Sequence, residues 1–76
     1  MATVRIRVVK PIRIDAFNAR SPRGRRARKD KVLPPGEYAA TRTIVPVTGF
    51  RAFIVHMPDG WTYGFPDWEE GYEVIE

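Results

Sequence analysis

Residues 50–65 read FRAFIVHMPDGWTYGF, and this stretch decides the fold. From Phe50 to Met57 both alternating faces are apolar: Phe50, Ala52 and Ile54 on one, Phe53, Val55 and Met57 on the other. A strand with two apolar faces belongs in the middle of a sheet. Pro58-Asp59-Gly60 then carries the Asp-Gly pair of a tight hairpin. Trp61, Tyr63 and Phe65 share one face of the returning strand. Gly64, on the opposite face, marks a kink or a close approach of another backbone.

Working outward, the pattern stays that of strands. Val4, Ile6 and Val8 alternate with Arg5 and Arg7, the period of a half-buried strand. Lys10-Pro11 interrupts it, because proline cannot donate to a ladder. Ile12, Ile14 and Ala16 resume the alternation until Phe17 breaks the phase. Pro34-Pro35-Gly36 is a turn, and Glu37 to Val45 reads as a further strand ended by Pro46. Pro66 to Gly71 is too short for a stable helix and reads as a single 3₁₀ turn. Tyr72 to Glu76 makes the last strand. The expectation is one all-β domain over residues 1–76, a small barrel of roughly five to six short strands whose closure hides the sheet edges.

Charge is distributed unevenly along this chain. Between Arg20 and Lys31 stand Arg20, Arg23, Arg25, Arg26, Arg28, Lys29 and Lys31, with Asp30 as the one acid among them. From Met1 to Lys31 there are eleven Lys/Arg against two Asp; from Val32 to Glu76, two against seven Asp/Glu. The net charge of +4 conceals this polarity. Ser21-Pro22 and Gly24 punctuate the basic run. Like charges three and four apart oppose a helix over 25–31, so residues 18–31 read as a long, flexible basic loop. A cationic segment of this density invites a polyanion.

Composition narrows the classes of function. No cysteine is present, which removes disulfides, thiolate metal sites and thiol nucleophiles. His56 is the one histidine and Ser21 the one serine, so neither a metal set nor a nucleophile–base pair is apparent. No glycine-rich phosphate loop follows a strand. The reading is a non-enzymatic protein with no cofactor and no metal. No apolar run approaches a membrane span, and the first residues alternate charge with β-branched side chains, unlike an export signal. The expectation is a soluble, cytoplasmic protein of the small bacterial or phage accessory kind, with no membrane partner.

The order of these signals resembles an SH3-like barrel of the bacterial SH3 type. Leu33-Pro34-Pro35-Gly36-Glu37 is similar to the Leu-x-x-Gly-Asp/Glu entry of the second strand in that family. The Asp59-Gly60 hairpin, Gly64-Phe65-Pro66, Trp68 and Tyr72-Glu73-Val74-Ile75 resemble its aromatic run, helical turn and closing strand. Phe17-Asn18-Ala19-Arg20-Ser21-Pro22-Arg23-Gly24 is similar to its Asn-Val-Arg-Ser-Gly-Pro loop. The chain departs from the peptide-binding members in three ways. Its long loop is basic rather than acidic, Phe50-Arg51-Ala52-Phe53 replaces their Trp pair, and one residue is missing between Gly64 and Pro66.

The expected partner is therefore nucleic acid, DNA or RNA, contacted through Arg20, Arg23, Arg25, Arg26, Arg28, Lys29 and Lys31. Cations beside phosphates release condensed counterions and give affinity without sequence readout. Pro22-Arg23-Gly24-Arg25-Arg26 also resembles an AT-hook, although Arg26 stands where that motif ends in proline; the resemblance implies insertion into a narrow minor groove. The alternative is a protein-interaction module, in which the loop or a groove of Trp61, Tyr63, Pro66 and Trp68 grips an acidic or proline-containing segment. Self-association, with the acidic end of one copy against the basic half of another, is the third arrangement the charges allow.

Overall fold

The computed structural model describes residues 2–75. Among them eight strands follow in chain order: β1 (Ala2–Val8), β2 (Ile12–Ile14), β3 (Ala19–Arg20), β4 (Lys31–Leu33), β5 (Gly36–Ile44), β6 (Arg51–His56), β7 (Thr62–Pro66) and β8 (Tyr72–Val74). The chain is all-β, as its alternation predicts. Six strands form one antiparallel sheet in the order β3-β7-β6-β5-β1-β8, and β2 pairs with β4 in a separate ribbon. The count exceeds the five to six strands expected, because β3 and β4 are too short to show a period. The outermost strands β3 and β8 are not neighbours in the sheet, which is therefore not closed by pairing among the described residues. Glu76, read as the end of the last strand, lies outside the described residues.

Directly paired residues share a face, so the register sorts the side chains. Phe53 opposes Phe65, Val55 opposes both Tyr63 and Ala40, and Ile6 opposes Tyr38 and Val74. This inner face meets the β2–β4 ribbon, whose Ile12, Ile14 and Leu33 are each at most 1% exposed. Together they make one core, with Phe53, Phe65 and Tyr72 as an aromatic trio at centroid distances of 5.1–5.7 Å. The outer face of the middle strands carries small residues, Thr41, Thr43, Ala52, Thr62 and Gly64, around the larger Ile54. Strand β6 is central, yet only its Phe53/Val55 face is buried; Ala52 and Ile54 are half-buried and Phe50 is exposed. Nothing among the described residues covers that second apolar face, although the sequence pattern expects a cover.

The 3₁₀ turn is at Ala16–Asn18 rather than at 66–71. Asp15 starts it by accepting the Phe17 N–H at 2.8 Å, and its carbonyl accepts the Asn18 N–H at 2.8 Å. Residues 66–71 make only one reverse turn, closed by the Glu69 N–H donating to the Pro66 carbonyl. Asn18 lies over Gly64: a Cβ there would sit 3.5 Å from the Asn18 carbonyl oxygen. That is an ordinary van der Waals distance, so the backbone approach at Gly64 would also admit a Cβ.

The β6–β7 turn has a second role. Gly60 has φ +92°, and a Cβ on it would lie 2.9 Å from Cγ of Pro22 in the basic segment. Gly60→Ala is expected to cost about 1–2 kcal/mol from the backbone alone, plus the collision with Pro22. Urea denaturation measures it. In a Pro22→Ala background, which removes Cγ and keeps the Cβ at 3.2 Å, the penalty should shrink toward the backbone part; an equal penalty in both backgrounds would show that the Cγ contact carries no energy.

Candidate functional site

The basic segment is folded, where its composition reads as an open flexible loop. Ala19 and Arg20 pair with Tyr63 and Thr62 at the sheet edge, and Arg20 bridges to Arg26. The Ala27 N–H donates to the Ala19 carbonyl at 2.9 Å, and the Ser21 N–H to the Arg25 carbonyl at 2.8 Å. The Ser21 hydroxyl accepts the N–H groups of Arg23 (3.3 Å) and Arg25 (3.2 Å), and Gly24 turns the tip with φ +82°. Ser21 thus acts as the hinge of a tight turn. Arg23-Gly24-Arg25 is bent back in this hairpin, not extended as the AT-hook resemblance implies.

Ion pairs reach three of the cations among the described residues, and Lys10, Arg42 and Arg51 stand outside the basic run without one. Outside the hairpin, Arg5 and Arg7 engage Glu37 (3.8 and 3.3 Å), Arg7 also engages Glu73 (2.9 Å), and Arg13 engages Asp30. In the hairpin none of Arg20, Arg23, Arg25 and Arg26 forms an ion pair among the described residues, and neither do Arg28, Lys29 and Lys31 in the connection from it into β4. The acid inside the basic run is taken from outside it: Arg13 Nε donates to Asp30 at 2.8 Å. Arg23, Arg25, Arg26, Arg28 and Lys29 are exposed, and Arg20 and Lys31 are half-buried. The hairpin therefore presents uncompensated positive charge on a fixed frame.

Asp30 holds the base of that frame. Besides Arg13, it accepts the Ala16 N–H at 2.9 Å. The Arg13 guanidinium, aided by that N–H, holds its carboxyl below the usual carboxylate range, and the Arg13 group is raised in return. A carboxyl lowered on folding contributes stability that is fully present above the ordinary carboxylate range and lost as pH falls through its lowered native value. Asp30→Asn should remove that part of the acid-side loss. Melting temperature followed against pH in both proteins checks this; parallel curves would contradict it.

Two of the hairpin cations rest on a ring that reads in the sequence only as a break of phase. The guanidinium carbons of Arg26 and Arg20 lie over Phe17 at 4.6 and 5.7 Å from its centroid. Lys31 Nζ lies 4.5 Å over Trp61. Such contacts hold cations near aromatic faces without neutralising them.

Trp61, Tyr63, Pro66 and Trp68 are not brought into one groove. Tyr63 is in the core, and Trp61 packs near it at 6.4 Å. Pro66 and Trp68 lie at the other end of β7, because alternation turns Tyr63 inward and Pro66 outward. Trp68 is exposed, as its place among acids at a turn predicts, and meets Phe50 edge-to-face at 4.8 Å. A shallow cleft of about 410 Å³ runs over the outer sheet face here, bounded by Phe17, Arg20, Phe50, Pro66 and Trp68.

His56 is exposed on the outer face of β6, not in the core, and bonds the Thr41 hydroxyl at 2.8 Å. The Ser21 hydroxyl serves its own turn. Among the described residues no three His, Asp or Glu side chains converge on a metal position, and no helix is long and apolar enough to cross a membrane. In class, the chain is an all-β protein presenting an unpaired cationic hairpin at a sheet edge. Compared with protein-family models, curated proteins and solved structures, it has no match.

Proposed function

We propose that this chain is an SH3-like binding module that contacts nucleic acid through the basic segment of residues 20–31, the hairpin and the connection that follows it. The SH3-like part of the reading is supported by strand order. A meander β5-β6-β7 follows a long connection carrying the β2–β4 ribbon, and the last strand returns beside the first. The partner is supported above all by one observation: among the described residues the seven cations from Arg20 to Lys31 have no carboxylate partner, and Asp30, the acid that stands among them in sequence, is taken by Arg13. Phosphates supply what the hairpin lacks, and counterion release supplies the free energy. The contact is non-enzymatic and needs no cofactor.

The test is the salt dependence of duplex binding in the native chain and in Arg25→Ala/Arg26→Ala. The double substitution should flatten the log–log slope by about 1.8 and leave the fold intact. An unchanged slope removes the hairpin from the mechanism. A protein-interaction role is favoured by a different observation, the exposed Phe50–Trp68 pair. NMR shift maps separate the two: hairpin amides respond to an oligonucleotide in the first reading, and residues around Phe50 and Trp68 respond to an acidic or proline-containing peptide in the second.

A further inference from the structure

We propose that the cleft beside the hairpin receives unpaired nucleobases, so that the protein prefers single-stranded nucleic acid to duplex. This rests on reading the hairpin as a phosphate-binding surface. Three aromatic rings are exposed among the described residues, Phe17, Phe50 and Trp68, and all three line this one cleft. The other six aromatic side chains are buried or half-buried. Three exposed rings gathered on one hollow, far apart in sequence, mark a surface that meets something. Its floor is kept low by Ala52, Ile54 and Gly64, and at about 410 Å³ it falls within the size range of small-ligand pockets.

Charge chooses the occupant. Arg20 lines the cleft and, with Arg26, lies over Phe17, so phosphate-binding groups stand within about one ring of the stacking groups. A nucleic-acid strand carries an anion and a flat ring in every repeat, which matches cations interleaved with aromatic side chains. An acidic peptide matches the charge without the regular rings. In a duplex the base faces are stacked on one another and closed to the cleft. Asn18 and Thr62, also on the cleft, bring hydrogen-bonding side chains to base edges.

The experiment compares a short oligothymidine with an abasic strand of equal length, which keeps the phosphates and lacks the bases. The native protein should bind oligothymidine more tightly. Trp68→Ala or Phe50→Ala should weaken that binding by about 5- to 150-fold, leave the salt slope in place and leave the abasic strand unaffected. Both rings are at least half exposed, and circular dichroism verifies that each variant is folded. Equal affinity for the two strands, or an unchanged oligothymidine affinity in both variants, overturns the cleft while salt-sensitive duplex binding keeps the hairpin reading. Loss of salt-sensitive binding to every strand overturns both. Cleft amides that shift with an acidic proline-containing peptide and not with oligothymidine assign the cleft to a protein partner and overturn the proposal.

Discussion

Duplex binding is expected to weaken by nearly four orders of magnitude between about 50 and 200 mM salt. The figure follows from the basic segment. Seven cations, each neutralising one phosphate, give a log–log slope of about −6 on B-form DNA, and a fourfold rise in salt then costs close to 10⁴ in affinity. Arg25→Ala/Arg26→Ala brings the slope to about −4.5. Fluorescence anisotropy of a labelled duplex reads both. The frame makes the result interpretable. Arg25 and Arg26 are exposed, and the hairpin bonds near them use the backbone and Ser21, so their truncation removes charge without removing a bond that holds the turn. A slope close to zero in the native protein would mean that these cations meet water alone.

The second large effect falls on stability. Phe53→Ala is expected to cost about 3–5 kcal/mol, because Phe53 is 4% exposed and meets Phe65 and Tyr72 at 5.7 and 5.3 Å. Domains this small have total stabilities near the low end of the usual range, roughly 5 kcal/mol. The melting temperature should fall by about 12–40 °C, with an unfolded fraction at room temperature of roughly 3% at the lower cost and about half at the higher one. Far-UV circular dichroism follows it. Trp68→Ala is the control: a larger ring, 60% exposed, whose loss should move stability by only about 0.5 kcal/mol. If the two substitutions cost the same, the division into an inner core and an outer cleft is wrong.

What the sequence discloses and what it hides follow from range. Val4, Ile6 and Val8, then Ile12 and Ile14, show their strands because alternation is local and Lys10-Pro11 cuts it cleanly. The β6–β7 hairpin is equally plain from Asp59-Gly60. Strand β3 is hidden, since two residues have no period; its pairing with β7 shows only in three dimensions. The hairpin within 18–31 is hidden by its charge, which argues for an open loop until Ser21, Gly24 and the Pro22–Gly60 contact outweigh repulsion between well-hydrated cations. Asp30 looks like a stray acid in a basic run, but it serves Arg13, distant in sequence. The cleft is the least legible feature. Phe17, Phe50 and Trp68 come from three separate turns, and only the outer surface of the sheet gathers them. The groove expected from Trp61, Tyr63, Pro66 and Trp68 fails for another reason: Tyr63 is buried on the inner face of β7, while Pro66, three residues on, falls on the outer face.

Strand β3 ends after two residues, with Pro22 close behind, and its outer side is met by Arg26 and Ala27 of the same chain. An open sheet border is ordinarily a template onto which another molecule can add its own strand. Here the chain folds its own Arg26 and Ala27 back onto the border, and a like-charged copy approaching it is pushed away. The guanidinium groups that would draw in a polyanion therefore also act as a guard against polymerisation, so stripping them would trade solubility as well as affinity.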